Sequence, residues 1–142
     1  MVKFKKIRTL FPFSHLKYYK ILYDDIQDLY NVIITLHAAF NSTTIVFKTF
    51  RNQFDSFGLL ESFHYKNYSY YIIPNVDFIK EVDLLRILYL EISLFESPFQ
   101  IEKLDKSVLY FSISIDNFAE NPILLINKKL SNQVDLEIKK IL

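Results

Sequence analysis

The chain of 142 residues contains no cysteine, no tryptophan and a single glycine, Gly58. Without cysteine it can form neither disulfides nor thiolate metal sites, and a cysteine nucleophile is excluded. Phosphate-binding loops of the Walker and Rossmann types need several glycines so that the backbone can approach the phosphate, and one glycine excludes both. The lack of cysteine also favours a location inside the cell, in the cytoplasm or the interior of an organelle, over secretion.

Few residues remain as candidates for catalysis or metal binding. The three histidines are too far apart in the sequence for a zinc-ligand motif, and no serine stands in the glycine-flanked turn of a serine hydrolase. Asp135, Glu137 and Lys139 have the D-x-E-x-K spacing of metal-dependent nucleases, but on a helix this spacing separates Glu137 from the other two. The sequence therefore predicts a protein without enzymatic activity, cofactor or metal, and a metal-dependent nuclease is kept as a second alternative.

Phenylalanine and tyrosine are abundant, with 14 and 10 residues. Because most codons of Phe, Tyr, Ile, Asn and Lys are rich in A and T, the composition indicates an AT-rich genome, such as that of an organelle, a virus or a reduced bacterium. Hydrophobic residues make up 51% of the chain and charged residues 23%, which is far from the composition of disordered proteins. The length suits one core, so we expect a single domain over residues 1–142.

Basic residues are concentrated at the N-terminus, although the net charge is only +1. No acidic residue precedes Asp24, and we expect residues 1–13 to form a basic arm or a first strand. The partner-binding candidates in this segment are Lys3, Lys5, Lys6 and Arg8. An acidic protein surface or anionic lipid headgroups suit this segment better than nucleic acid, since a dedicated nucleic-acid binder is usually more basic overall.

Apolar residues at alternating spacings of four and three predict a long first helix from about Ser14 to Phe40. A second helix is predicted from about Asp77 to Glu96, and its apolar sector is too broad to be covered by one neighbour. We therefore expect it in the middle of the structure or at an interface. The partner-binding candidates on it are Ile87, Leu90 and Leu94. A final helix is predicted from about Ser131.

Four segments have the character of strands. Thr43–Phe50 and Tyr68–Ile73 are dense in β-branched and aromatic residues. Ser107–Asp116 alternates strictly between apolar and polar residues, and we expect it to pair antiparallel with the short apolar run Ile123–Ile126. Leu59–Tyr65 fits either a short helix or an extension of the second strand.

These segments give the order α-β-β-α-β-β-α and predict an α+β fold, in which antiparallel strand pairs pack against two long amphipathic helices. The stretch Leu29–Phe47 carries no formal charge and has the length of a membrane span. Its Asn, Ser and Thr residues instead indicate the end of a helix followed by a strand, so we expect no transmembrane segment.

Tyrosines in and before the second strand complete the set of partner-binding candidates: Tyr65, Tyr68 and Tyr70. Tyrosine is common at interfaces because it buries a large ring and keeps one hydrogen-bonding group. Together with the surplus apolar surface of the two predicted helices, they favour a non-enzymatic interaction domain or a structural subunit of a larger assembly, such as an organellar one, and self-association stays open. The alternative is a small inhibitor or immunity protein of a virus or mobile element that covers a host or toxin protein.

Overall fold

The computed structural model describes residues 2–7, 16–38, 43–50, 60–96, 109–116 and 121–127. In these ranges eight strands form one sheet, accompanied by one α-helix and a short 3-10 helix. The strands are β1 (Val2–Lys6), β2 (Leu16–Tyr23), β3 (Thr43–Phe50), β4 (Ser62–Tyr65), β5 (Tyr68–Ile73), β6 (Tyr89–Glu96), β7 (Leu109–Asp116) and β8 (Ile123–Asn127). The helix α1 spans Ile26–Ala38, and the 3-10 helix spans Val76–Glu81.

The strands follow the order β1-β2-β8-β7-β6-β3-β5-β4, and every neighbouring pair is antiparallel. Early and late parts of the chain meet where β2 pairs with β8, because Tyr18 lies opposite Leu125 and Lys20 opposite Ile123. Among the described strands, β1 and β4 form the two edges of the sheet.

The hydrophobic core lies between α1 and one face of the sheet, which we call the core face. From α1 it takes Leu29, Val32, Ile33 and Leu36, and from the middle strands Phe47, Leu90, Phe111, Ile113 and Leu124. Since side chains alternate along a strand, the residues between these point to the opposite side. This second face carries Lys48, Tyr70, Glu91 and Ser112 near its middle and is more polar than the core face.

The first predicted helix is wrong over its N-terminal half, because Leu16–Tyr23 is strand β2. The helix begins only after Asp25, whose Oδ1 accepts a hydrogen bond from the Gln27 N–H at 2.9 Å and whose carbonyl accepts one from the Asp28 N–H at 2.9 Å. An aspartate that satisfies free N–H groups in this way marks a helix start. The spacing of three and four residues therefore identifies α1 correctly, but the helix predicted from it begins too early in the chain.

The second predicted helix is also wrong. Asn75 does begin a helical segment, since its Oδ1 accepts a hydrogen bond from the Asp77 N–H at 2.9 Å, but this segment is a 3-10 helix that ends at Glu81. The C-terminal part of the predicted helix is β6, which lies between β3 and β7. An α+β fold with two long helices is thereby excluded, and the described chain is mostly an antiparallel sheet with one α-helix.

The strand predictions fare better. Thr43–Phe50 and Tyr68–Ile73 are confirmed as β3 and β5, and β7 pairs antiparallel with β8 as expected. The ambiguous segment before β5 is neither a helix nor an extension of β5, because Ser62–Tyr65 is a separate strand, β4, that pairs antiparallel with β5. The final helix predicted from Ser131 lies outside the described residues. No helix within the described ranges has the length and hydrophobicity to cross a membrane.

Candidate partner-binding site

Four aromatic residues gather where β3 ends, β6 begins and β4 turns into β5. Phe50 pairs with Tyr68, Tyr68 pairs with Tyr65, and the ring of Tyr89 reaches Phe50 from β6. Ring centroids are 5.8 Å apart for Phe50 and Tyr68, 5.3 Å for Phe50 and Tyr89, and 6.1 Å for Tyr68 and Tyr89. We call Phe50, Tyr65, Tyr68 and Tyr89 the aromatic corner. Phe50 and Tyr65 are 38% and 52% exposed, which is high for large apolar residues.

A carboxylate lies beside the aromatic corner, on the same face of the sheet. Oε2 of Glu91 accepts a hydrogen bond from Tyr89 Oη at 2.7 Å, and Oε1 accepts one from Ser112 Oγ at 3.3 Å. The hydroxyl of Ser93 donates to Ser112 Oγ at 3.0 Å, so the two serines form a short chain that ends on the carboxylate. The Nζ atom of Lys48 is 4.0 Å from Oε2. Glu91, Tyr89, Ser93, Ser112 and Lys48 constitute the Glu91 cluster.

Lys48 links the Glu91 cluster to the aromatic corner. Its Nζ atom lies 4.2 Å from the ring centre of Tyr68 and 5.9 Å from that of Tyr70. Tyr70 in turn stacks on Phe63 of the edge strand, with centroids 4.7 Å apart and an angle of 7° between the rings. One face of the Tyr68 ring is therefore covered by Lys48, and one face of the Tyr70 ring is covered by Phe63.

Burial and the charge of Glu91 keep two of these phenols neutral. Burial is the larger cause that raises the pKa of Tyr89 well above its ordinary value, and the charge of Glu91 and its hydrogen bond act in the same direction. Burial, followed by the charge of Glu91, also raises the pKa of Tyr70. Tyrosine hydroxyls are protonated at neutral pH in any case, and the raised pKa values keep these two as hydrogen-bond donors further into alkaline solution.

The residues predicted to bind a partner fall into two distant groups. Tyr65 and Tyr68 belong to the aromatic corner, and Tyr70 is buried directly beside it. Lys3, Lys5 and Lys6 lie on β1 at the opposite edge of the sheet, while Arg8 lies outside the described residues. The structure therefore does not unite the basic and the tyrosine-rich segments in one site.

The aliphatic candidates do not lie on a surface. Ile87, Leu90 and Leu94 are all buried in the core, and Leu90 and Leu94 point there because they are alternate residues of the central strand β6. Their predicted role in partner binding rests on one side of a helix that is not formed, and as buried residues they are not accessible to a partner. Sequence reasoning instead missed Phe50 and Tyr89. The signal for Phe50 was its position at the end of a correctly predicted strand, whereas Tyr89 fell within the wrong helix.

Other titratable groups do not add a second chemical site to the described chain. Within the described ranges, no three His, Asp or Glu side chains are grouped so that they could hold a metal ion. Burial lowers the pKa of His37, and the charge of Asp77 opposes this shift in part. The nuclease-like residues Asp135, Glu137 and Lys139 lie outside the described ranges.

Known proteins give no further guide to the role of the aromatic corner. The chain matches no family model, no curated protein and no solved structure. The geometry of the aromatic corner and of the Glu91 cluster is therefore the basis on which a function can be inferred.

Proposed function

We propose that the chain is a non-enzymatic interaction domain that binds a partner protein through the aromatic corner. The observation that carries this proposal is the exposure of Phe50 and Tyr65, 38% and 52%, at one place on the sheet. Aromatic residues dominate the binding energy of many protein interfaces, and they do so where neighbouring contacts exclude water.

The contacts within the corner favour a protein partner over a nucleic acid. A base would need a free ring face on which to stack. One face of Tyr68 is covered by Lys48 at 4.2 Å and its ring also stacks with Phe50, while one face of Tyr65 is approached by Lys66 at 5.3 Å. Lys48 is also paired with Glu91, so its charge is not available to a phosphate. Ring edges and hydroxyl groups suit the mixed apolar and polar contacts of a protein interface.

The corner is held in place before any partner arrives. Tyr89 is fixed by its hydrogen bond to Glu91, and Tyr68 is fixed between Phe50 and Lys48. Side chains that are already ordered lose less conformational entropy when they bind. This preorganisation supports a binding role, because less of the free energy gained by burying the aromatic rings is offset by lost conformational entropy.

The partner is bound reversibly in this proposal. A permanent subunit was expected mainly because the predicted helices had more apolar surface than one domain can bury, and Ile87, Leu90 and Leu94 now account for that surface as core. Among the residues that the structure describes, the remaining exposed aromatic area is small. We therefore favour a domain that folds without its partner, and both an assembly component and an inhibitor would fit this description.

A photo-cross-linking amino acid in place of Tyr65 should identify the partner in its native source, and calorimetry with the purified partner then tests the site. Because Phe50 and Tyr65 are exposed, we expect Phe50→Ala and Tyr65→Ala to fold normally and each to weaken binding roughly tenfold or more. Leu85→Ala is the matched control, since Leu85 is 64% exposed and lies outside the corner. Unchanged affinity in the Phe50→Ala, Tyr65→Ala double variant would refute the proposal.

A further inference from the structure

Lysines are concentrated on β1 and β2, at the edge of the sheet opposite the aromatic corner. We call this set the basic edge: Lys3, Lys5, Lys6, Lys17 and Lys20. The register places Lys5 directly opposite Lys20 on the second face, with Lys3 two residues along β1 on the same face. Like charges directly opposite each other destabilise a strand pair. Within the described chain none of these lysines forms an ion pair, so no described carboxylate compensates their charge.

The backbone of β1 has hydrogen-bonding groups that point away from the sheet. Its only described neighbour is β2, and the Ile7 N–H donates to the Tyr18 carbonyl at 3.0 Å. In an antiparallel pair, residues with both groups bonded to the neighbour alternate with residues whose groups point outward. Because Ile7 is bonded to β2, the backbone groups of every second residue before it, Lys5 and Lys3, are bonded to β2 as well. The N–H and C=O groups of Phe4 and Lys6 point to the outer side.

We propose that β1 binds an acidic, extended segment of a partner protein, which adds to the sheet as a ninth strand. The outward groups of Phe4 and Lys6 supply the backbone hydrogen bonds of this mode of recognition. On the second face, alternate residues of the added strand lie beside Lys3 and Lys5 and are acidic. On the core face, the intervening residue that lies beside Phe4, which is half-buried against the core, is apolar. The sequence recognised therefore alternates between acidic and apolar residues.

Protection of the edge against aggregation does not account for the basic edge. Lysines on an edge strand do discourage unwanted pairing, but Lys20 lies on the inner strand β2, where it guards no edge and only adds repulsion to Lys5. Nucleic acids and anionic lipids would use the lysine charges but not the outward backbone groups. An acidic strand uses both, and this is why we prefer it.

The test uses the whole ¹⁵N-labelled chain and a seven-residue peptide of alternating glutamate and valine. We expect the peptide to slow hydrogen exchange of the Phe4 and Lys6 amides at least tenfold, while the amides of Lys3 and Lys5, already bonded to β2, change far less. A peptide with proline in place of two valines keeps the charge but loses donors to β1, and should bind at least tenfold more weakly. A lysine–valine peptide should not bind.

Variants separate this site from the aromatic corner. Lys5→Gln with Lys20→Gln should weaken the glutamate–valine peptide at least tenfold, whereas Lys66→Gln, at the opposite edge, and Phe50→Ala should leave its affinity unchanged. Failure of the peptide to protect the Phe4 and Lys6 amides would overturn the proposal. The role of the lysines would then be to prevent unwanted pairing of the edge strand. Binding of a single-stranded oligonucleotide or of phosphatidylserine vesicles in place of the peptide, without that protection, would overturn it too.

Discussion

Glu91 is the residue that organises the second face of the sheet. Its carboxylate accepts hydrogen bonds from the hydroxyls of Tyr89 and Ser112 and forms an ion pair with Lys48. Side chains from β3, β6 and β7 therefore meet at one carboxylate. Hydrogen bonds to an ionised acceptor are stronger than those between neutral groups. The carboxylate therefore fixes the position of Tyr89, and through it the aromatic corner, in a way that the apolar contacts alone would not.

The raised pKa of Tyr89 makes a prediction about stability in alkali. A tyrosine whose pKa is higher in the folded than in the unfolded state contributes stability that is complete below the unfolded pKa of about 10 and is lost as the pH rises above it. We expect the wild-type protein to lose roughly 1 kcal/mol more free energy of unfolding than Tyr89→Phe between pH 8 and pH 11, after allowance for partial exposure.

Urea unfolding of the two proteins at both pH values measures this difference, and the values at pH 8 correct for the hydrogen bond to Glu91 that the variant lacks. The decline should persist in part in the variant, because the pKa of Tyr70 is also raised. An identical decline in both proteins would show that Tyr89 ionises as readily in the folded state as in the unfolded one.

At the scale of elements, the contrast between β7 and β6 shows what a local pattern can predict. The alternation Leu109–Asp116 was recognised because no competing helical period overlaps it. Leu90, Ile92 and Leu94 alternate with polar neighbours in the same manner, but apolar residues before them also fit a helical spacing. Residues 89–96 form a strand because they pair with β3 and β7, which are remote in sequence. A single-sequence pattern contains no information on such pairing.

The candidate site was predictable to the same extent as its strands. Tyr65 and Tyr68 were identified because they lie around a correctly predicted strand. Phe50 and Tyr89 join them only through the pairing of β3 with β5 and β6, which brings together residues that are distant in the sequence. That Lys5 and Lys20 are directly opposite each other follows only from the register of β1 and β2, and the helix predicted from Ser14 excludes that pairing.

The hairpin β4–β5 has a strained turn that can be improved. Lys66, in the two-residue loop between Tyr65 and Tyr68, has a φ of 55°, a left-handed conformation that costs a non-glycine residue about 1 kcal/mol or more. Glycine adopts it freely. We expect Lys66→Gly to raise the free energy of unfolding by about 0.5 kcal/mol, once glycine's greater entropy in the unfolded chain and the lost contact with Tyr65 are included.

Asn67→Gly is the control for this turn. Asn67 has no positive φ, so glycine there gains nothing in the folded state and adds entropy to the unfolded chain. Thermal unfolding should place the Lys66→Gly variant above the wild type and Asn67→Gly below it. The reverse order would mean that the left-handed residue of the turn has been assigned to the wrong position.

For the molecule as a whole, β8 connects two parts of the sheet. It lies between β2 and β7, so the N-terminal pair β1–β2 reaches the strands from β7 to β4 through this one five-residue strand. Contacts between residues so distant in the sequence form slowly but make unfolding a property of the entire sheet. Both proposed binding surfaces, the aromatic corner and the basic edge, then depend on a core that they share.

Leu124 tests that dependence because it is fully buried on the core face of β8. Leu124→Ala should lower the free energy of unfolding by about 3 kcal/mol, and hydrogen exchange should show the same loss of protection in β2 and in β3. Leu125→Ala, on the half-buried second face, is the control and should cost about 1 kcal/mol. If protection falls in β2 but not in β3, the sheet consists of two separately unfolding units. In that case the basic edge could open while the aromatic corner stays folded, and partners at the two surfaces would bind to different folded states.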